Sequence, residues 1–117
     1  MLITFMIQMH PIPLPYSSPL SLLNIIAYQE GSIVSRMVIN KPAGTVTLFA
    51  FDKGEGLSEH SAPFDAMLIA LEGQVEVTIE GESHLMSMGE LIILPAQVPH
   101  AVKAISRFKM MLVMIHA

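Results

Sequence analysis

From residue 33 onward the chain alternates strand-length apolar runs with breaks marked by glycine and proline, spaced about eight to twelve residues apart, the rhythm of an all-β sandwich or barrel. Val75, Val77 and Ile79 interleave with Glu76, Thr78 and Glu80, which predicts a strand with one buried and one wet face. In Ile33 to Asn40 the alternation sets Val34, Arg36 and Val38 on one face and Ile33, Ser35, Met37 and Ile39 on the other. Residues 41–44 (KPAG) read as a turn, because proline presets one backbone angle and glycine permits the reversal. Thr45 to Asp52 is rich in β-branched and aromatic residues and predicts a buried strand. Gly54 and Gly56 then open a loop. Further strands are expected at Met67 to Glu72, ended by Gly73, at His84 to Met88, at Leu91 to Leu94, stopped by Pro95, and at Phe108 to His116. No segment predicts a helix with conviction, although Ser21 to Ala27 suits either a strand or a helical turn or two.

The first 20 residues break this rhythm. Pro11, Pro13, Pro15 and Pro19 exclude a continuous helix and favour extended chain. The apolar start, MLITFMIQM, lacks the basic residues that precede a signal peptide's apolar core. It also falls far short of the roughly 20 residues needed to span a bilayer. Residues 1–20 are therefore expected to form an extended N-terminal arm that pairs with a sheet edge or a second subunit, or else a flexible leader, with 21–117 as a single domain. A cytoplasmic protein that does not engage a membrane is the default expectation.

Composition sharpens the picture in two ways. The 117 residues suffice for one domain with a real core, but 52% are hydrophobic and only 14% charged, which is very apolar for a free monomer. Either the interior is unusually well filled or another subunit covers part of the surface. The formal charge of -4, with Lys41, Lys53, Lys103 and Lys109 scattered, argues against a nucleic-acid partner. With no cysteine, disulfides and thiolate chemistry are excluded.

Two histidines carry the candidate chemistry. Gly54-x(5)-His60 closes at Gly73, and Gly89-x(5)-Pro95-x(4)-His100 follows. These segments resemble the two motifs of the cupin family, G-x(5)-H-x-H-x(3,4)-E-x(6)-G and G-x(5)-P-x-G-x(2)-H-x(3)-N. The resemblance implies a double-stranded β-helix, or jelly-roll, barrel with His60 and His100 converging at its mouth. Departures from the pattern fall on the ligands: Ala62 stands where the second histidine belongs and Ala66 where the glutamate belongs. Gln97 replaces the second motif's glycine and Ala104 its asparagine. The family's divalent metal would therefore keep only His60 and His100, whereas catalytic sites usually keep at least three protein ligands. Glu59 and Asp65 adjoin the motif positions and should face the opposite side of a strand, which leaves Gln97 as the least implausible substitute.

Each residue also has a plainer role. His60 and His100 would serve as core histidines bonded to backbone carbonyls. Asp65 would cap a turn, Glu55 and Glu59 would lie on a solvated loop face, and His84 and His116 would face solvent. His10 belongs to the arm. Met67, Met110, Met111 and Met114 would pack in a pliable interior. Ser58 could share the face of His60, but no orienting acid makes the pair a nucleophile, and there is no G-x-S-x-G elbow.

Three functions follow. In the first, the barrel binds a small molecule at a mouth lined by Ala62, Ala66, Leu68, methionines and the two imidazoles, with His60, His100 and Gln97 as contacts. In the second, it is a metal-dependent isomerase or oxygenase with His60 and His100 as ligands. In the third, a homodimer presents its surface to a partner. The resemblance implies homodimers, which would also cover the excess apolar surface.

Overall fold

The computed structural model describes residues 7–117. Among these, ten strands form and no helix: β1 (Ile7–Met9), β2 (Ile33–Lys41), β3 (Gly44–Phe51), β4 (Gly56–His60), β5 (Ala66–Glu72), β6 (Gln74–Ile79), β7 (Glu82–Ser87), β8 (Leu91–Leu94), β9 (His100–Ala104) and β10 (Phe108–Ile115). They make two sheets, one in the order β1-β2-β3-β10-β5-β8 and one in the order β4-β9-β6-β7. All neighbours are antiparallel except β1, which adds to the edge of β2 in parallel, with Ile7 opposite Ile33. The all-β jelly roll implied by the motifs is the observed architecture.

The core lies between the inner faces. Phe49, Phe51, Leu68, Phe108 and Met110 come from the six-stranded sheet, and Leu57, Val75, Val77, Met86 and Val102 from the four-stranded one. Phe51 and Phe108 are fully buried, with tilted rings 5.8 Å apart, and anchor one end. Replacing a side chain such as Leu68 by alanine would cost about 2–5 kcal/mol. Met110 sits in this core, Met114 packs on it, and Met111 packs on the opposite face of the sheet.

Two features depart from the sequence reading, and a third settles an alternative that it left open. Two short strands, β4 and β9, occupy segments expected to be loop, and their terminal residues are His60 and His100. Alternation in β2 is interrupted by a bulge between Met37 and Ile39, so Ile39 pairs with Val46 and joins the outer face shared by Val34 and Leu48. Ile39 was expected on the face of Ile33; one extra residue in the strand reverses that parity. The open alternative is residues 21–28, where the helical turn forms and the strand does not. They make one turn, with Ser21 O accepting from Asn24 N and Ile25 N, and then fold over the outer face of the large sheet. Ile26 is buried there against Val34, Leu48 and Ala50.

Of the N-terminal arm, residues 1–6 lie outside the described residues. Beyond β1, Arg36 holds the chain in place. Its Nη2 donates to Ile12 O (3.1 Å) and its Nη1 to Ile25 O (2.6 Å), so one guanidinium ties together the proline-rich segment, β2 and the covering segment.

Candidate functional site

His60 ends β4 and His100 begins β9, and the two residues are direct register partners across that ladder. A register shift between Leu57 and His60 turns the end of β4, so that His60 lines the same interior cavity as Leu57, three residues before it. The imidazoles meet edge to face, with centroids 4.5 Å apart and 67° between planes. His100 is buried and His60 half-buried.

Each ring is held by the same local device. His60 Nδ1 lies 2.8 Å from Ser58 O, and His100 Nδ1 lies 3.2 Å from Val98 O. A carbonyl oxygen only accepts, so Nδ1 carries the hydrogen in both rings, which leaves Nε2 as the acceptor atom of an uncharged imidazole. Burial pushes the His100 pKa below its ordinary 6.5, the adjacent His60 pushes it down further, and the Val98 carbonyl only partly opposes them. His100 is therefore neutral at physiological pH.

Both histidines line one interior cavity together with Leu57, Leu68, Leu94, Val102, Met110 and Leu112. Its volume is about 10 Å³, room for roughly one water molecule. Neither Ala62 nor Ala66 lines it, contrary to the expected mouth. Ala66 is packed into the hydrophobic core, and Ala62 lies in the loop after β4. Gln97 is exposed and does not line the cavity either. It works through its backbone: its φ is +67°, and its N–H donates to Ala62 O at 2.7 Å.

Asp65 does not cap its own turn. Its Oδ1 accepts from Ala96 N (2.8 Å), so the loops 61–65 and 95–99 are clasped twice beside the histidine pair. This clasp was not legible from the sequence, because the two loops are about thirty residues apart along the chain and meet only after both sheets form. His116 also departs from the solvent-facing expectation. It is half-buried, stacked on Phe64 at 4.7 Å. His84 is half-buried on β7, and Glu59 is exposed.

The donor set does not fit a catalytic divalent metal. Among the described residues no group of three or more His, Cys, Asp or Glu side chains converges. Around the two imidazole nitrogens the cavity wall offers only hydrocarbon and the Met110 thioether.

Comparison with known proteins agrees with the geometry. The sequence model described as "Cupin domain" matches residues 47–116, more than half of the chain. Among solved structures, a conserved protein of unknown function from Streptococcus pyogenes is 31% identical, with a TM-score of 0.86 over 91% of this chain and 93% of its own. A cupin superfamily protein from Desulfitobacterium hafniense is 26% identical, with a TM-score of 0.83 over 89% and 95%. A cupin 2 conserved barrel domain protein from Leptotrichia buccalis is 39% identical, with a TM-score of 0.78 over 80% of this chain and 46% of that one. No curated protein matches the sequence.

Proposed function

The chain belongs to the cupin family, and from that premise we propose that it is a non-catalytic barrel that binds a small, uncharged molecule at the His60–His100 pair. One observation carries this reading. Two adjacent imidazoles, each fixed through Nδ1 by a backbone carbonyl, keep Nε2 acceptors in a cavity otherwise walled by apolar side chains. Such a site suits a compact apolar body bearing one hydroxyl or N–H group, which the apolar wall and an Nε2 acceptor would hold together. At about 10 Å³ the cavity must enlarge to admit it. Enlargement would fall to Met110 and Leu112 and to the clasped loops 61–65 and 95–99, so binding is coupled to opening and association is slow.

Full-length protein purified without chelator provides the test, by elemental analysis and by thermal unfolding with phenol, indole and cyclohexanol as probes. The expectation is substoichiometric metal and a rise in melting temperature with at least one probe. Ligand at ten times its Kd stabilises by about 1.4 kcal/mol, a shift of several degrees for a domain of this size. His60→Leu and His100→Leu, which keep bulk but remove Nε2, should abolish the shift. Stoichiometric transition metal that disappears in those variants would instead establish the metal-dependent enzyme. No response to any probe in metal-free protein would remove the binding reading.

A further inference from the structure

Arg36 is a cation whose needs the chain meets only in part. Its guanidinium has five N–H donors and keeps its charge in a protein. Nη1 donates to Ile25 O (2.6 Å) and Nη2 to Ile12 O (3.1 Å), so each nitrogen retains a second hydrogen. Nε is sealed from solvent and has no hydrogen-bond partner among the described residues. A buried polar atom left in that state is rare and calls for a cause. Nor does a carboxylate balance the charge: among the described residues Arg107 pairs with Asp52, and Arg36 pairs with none. Two backbone carbonyls carry only partial charges, so a partly desolvated cation remains without a counter-ion.

This guanidinium lines a cavity of about 300 Å³ between residues 10–16 of the arm and β2. That volume lies at the lower end of the range for small-molecule sites. Two more donors line it. His10 Nδ1 accepts from Ile12 N (3.3 Å), so the neutral ring carries its hydrogen on Nε2. The Asn40 amide adds a second uncharged donor group. No Asp or Glu lines the cavity. The rest of its wall is largely apolar, with Ile12 and Val38 on it and Tyr16 at its rim, the tyrosine 84% exposed. Pro11 and Pro13 fix two backbone angles of the wall, which holds its shape before anything enters.

We propose that the cavity between the arm and β2 is an anion site, taking a small monocarboxylate with an apolar body. The planar guanidinium fork matches a carboxylate, which accepts two hydrogen bonds side by side. One cation with two neutral donors balances a single negative charge, whereas a phosphate dianion would keep half of its charge unmet. The apolar wall and the Tyr16 ring would cover the hydrocarbon part of the ligand, and binding would pin residues 10–16 on β2. The chain as a whole is acidic, with a formal charge of -4, so general attraction does not bring an anion here; the local donors must. The proposal is independent of the small molecule at His60 and His100, whose cavity shares no lining residue with this one.

The test is an NMR titration of the isotope-labelled full chain at neutral pH with benzoate and cyclohexanecarboxylate, and with benzamide as the uncharged control. Amide shifts should centre on residues 10–16 and 36–40. Benzoate should bind at least about tenfold more tightly than benzamide, and added salt should weaken it. Arg36→Met should lower the affinity at least about tenfold, and Arg36→Lys, which keeps the charge but not the fork, by less. Because Arg36 also ties down the arm, Tyr16→Ala and Asn40→Ala give a second measure. Neither side chain makes a hydrogen bond found among the described residues, and each substitution should weaken benzoate by about threefold or more. Wild type that binds neither acid, shifts centred elsewhere, or benzamide binding as well as benzoate would each overturn the proposal. So would affinity indifferent to Arg36→Met, or to both Tyr16→Ala and Asn40→Ala.

Discussion

Gln97 shows how one residue can belong to a site without touching its contents. It stands where the cupin motif has glycine, and its backbone adopts φ +67°, a region that L side chains enter at a cost of about 1–2 kcal/mol. The exposed side chain makes no hydrogen bond among those found in the described residues, whereas the backbone N–H clasps Ala62. Gln97→Gly should therefore raise unfolding stability by about 0.5–1 kcal/mol, the strain removed less the entropy a glycine adds to the unfolded chain. Urea denaturation checks this, and an unchanged or lowered midpoint would mean that the side chain contributes something. His100 makes the second prediction at this scale. Its folded-state pKa lies below the ordinary 6.5, so the unfolded chain takes up the proton first. Stability should be full above pH 6.5, fall as pH drops through that value toward the folded-state pKa, and level off below it. His100→Leu should remove this component from a pH series of melting temperatures, and a profile identical to wild type would show that His100 is not its source.

Among the elements, the covering segment 21–28 contributes more than its lack of regular structure suggests. It is held by Lys109 Nζ on Leu23 O (2.5 Å), by Arg36 Nη1 on Ile25 O and by the Tyr28 hydroxyl on Glu72 Oε1 (2.5 Å). Arg107 and Lys109 sit over the Tyr28 ring, at 5.2 and 4.8 Å from its centroid. Burial and the Glu72 carboxylate push the Tyr28 phenol far above its usual pKa, so it stays a donor. Ile26→Ala should cost about 2–4 kcal/mol and expose amides of residues 21–28 to hydrogen exchange before the sheets open. A loss under 1 kcal/mol by chemical denaturation would mean that the segment is only loosely laid on the sheet. Nothing periodic marks SLLNIIA, which is why its fate stayed open between strand and helical turn. The strands β4 and β9 are hard to read for a related reason: at five residues each they are too short for alternation to stand out from a loop.

At the scale of the whole molecule, the excess of apolar residues is distributed three ways. One share fills the interior so completely that the space beside the histidines holds about one water. Another packs residues 21–28 against the large sheet. The remainder, Ile39, Leu91, Ile93 and Ile115 among it, lies at the other end of that face with no cover from the described residues. Similarity to other cupins adds the architecture and leaves the chemistry open, because the fold supports many sites and this chain has replaced two of the family's ligand positions with methyl groups.

The sequence by itself determined the fold class, most of the long strands and the alanines that stand at two of the motif's ligand positions, because alternation, turn residues and residue identity are local facts. Tertiary structure alone decided that the two rings touch, that Asp65 and Gln97 fasten the loops beside them, and that a bulge carries Ile39 to the outer face opposite Val46. Those outcomes depend on which strands become neighbours and in what register, and register is set by the packing of both sheets together rather than by any one segment.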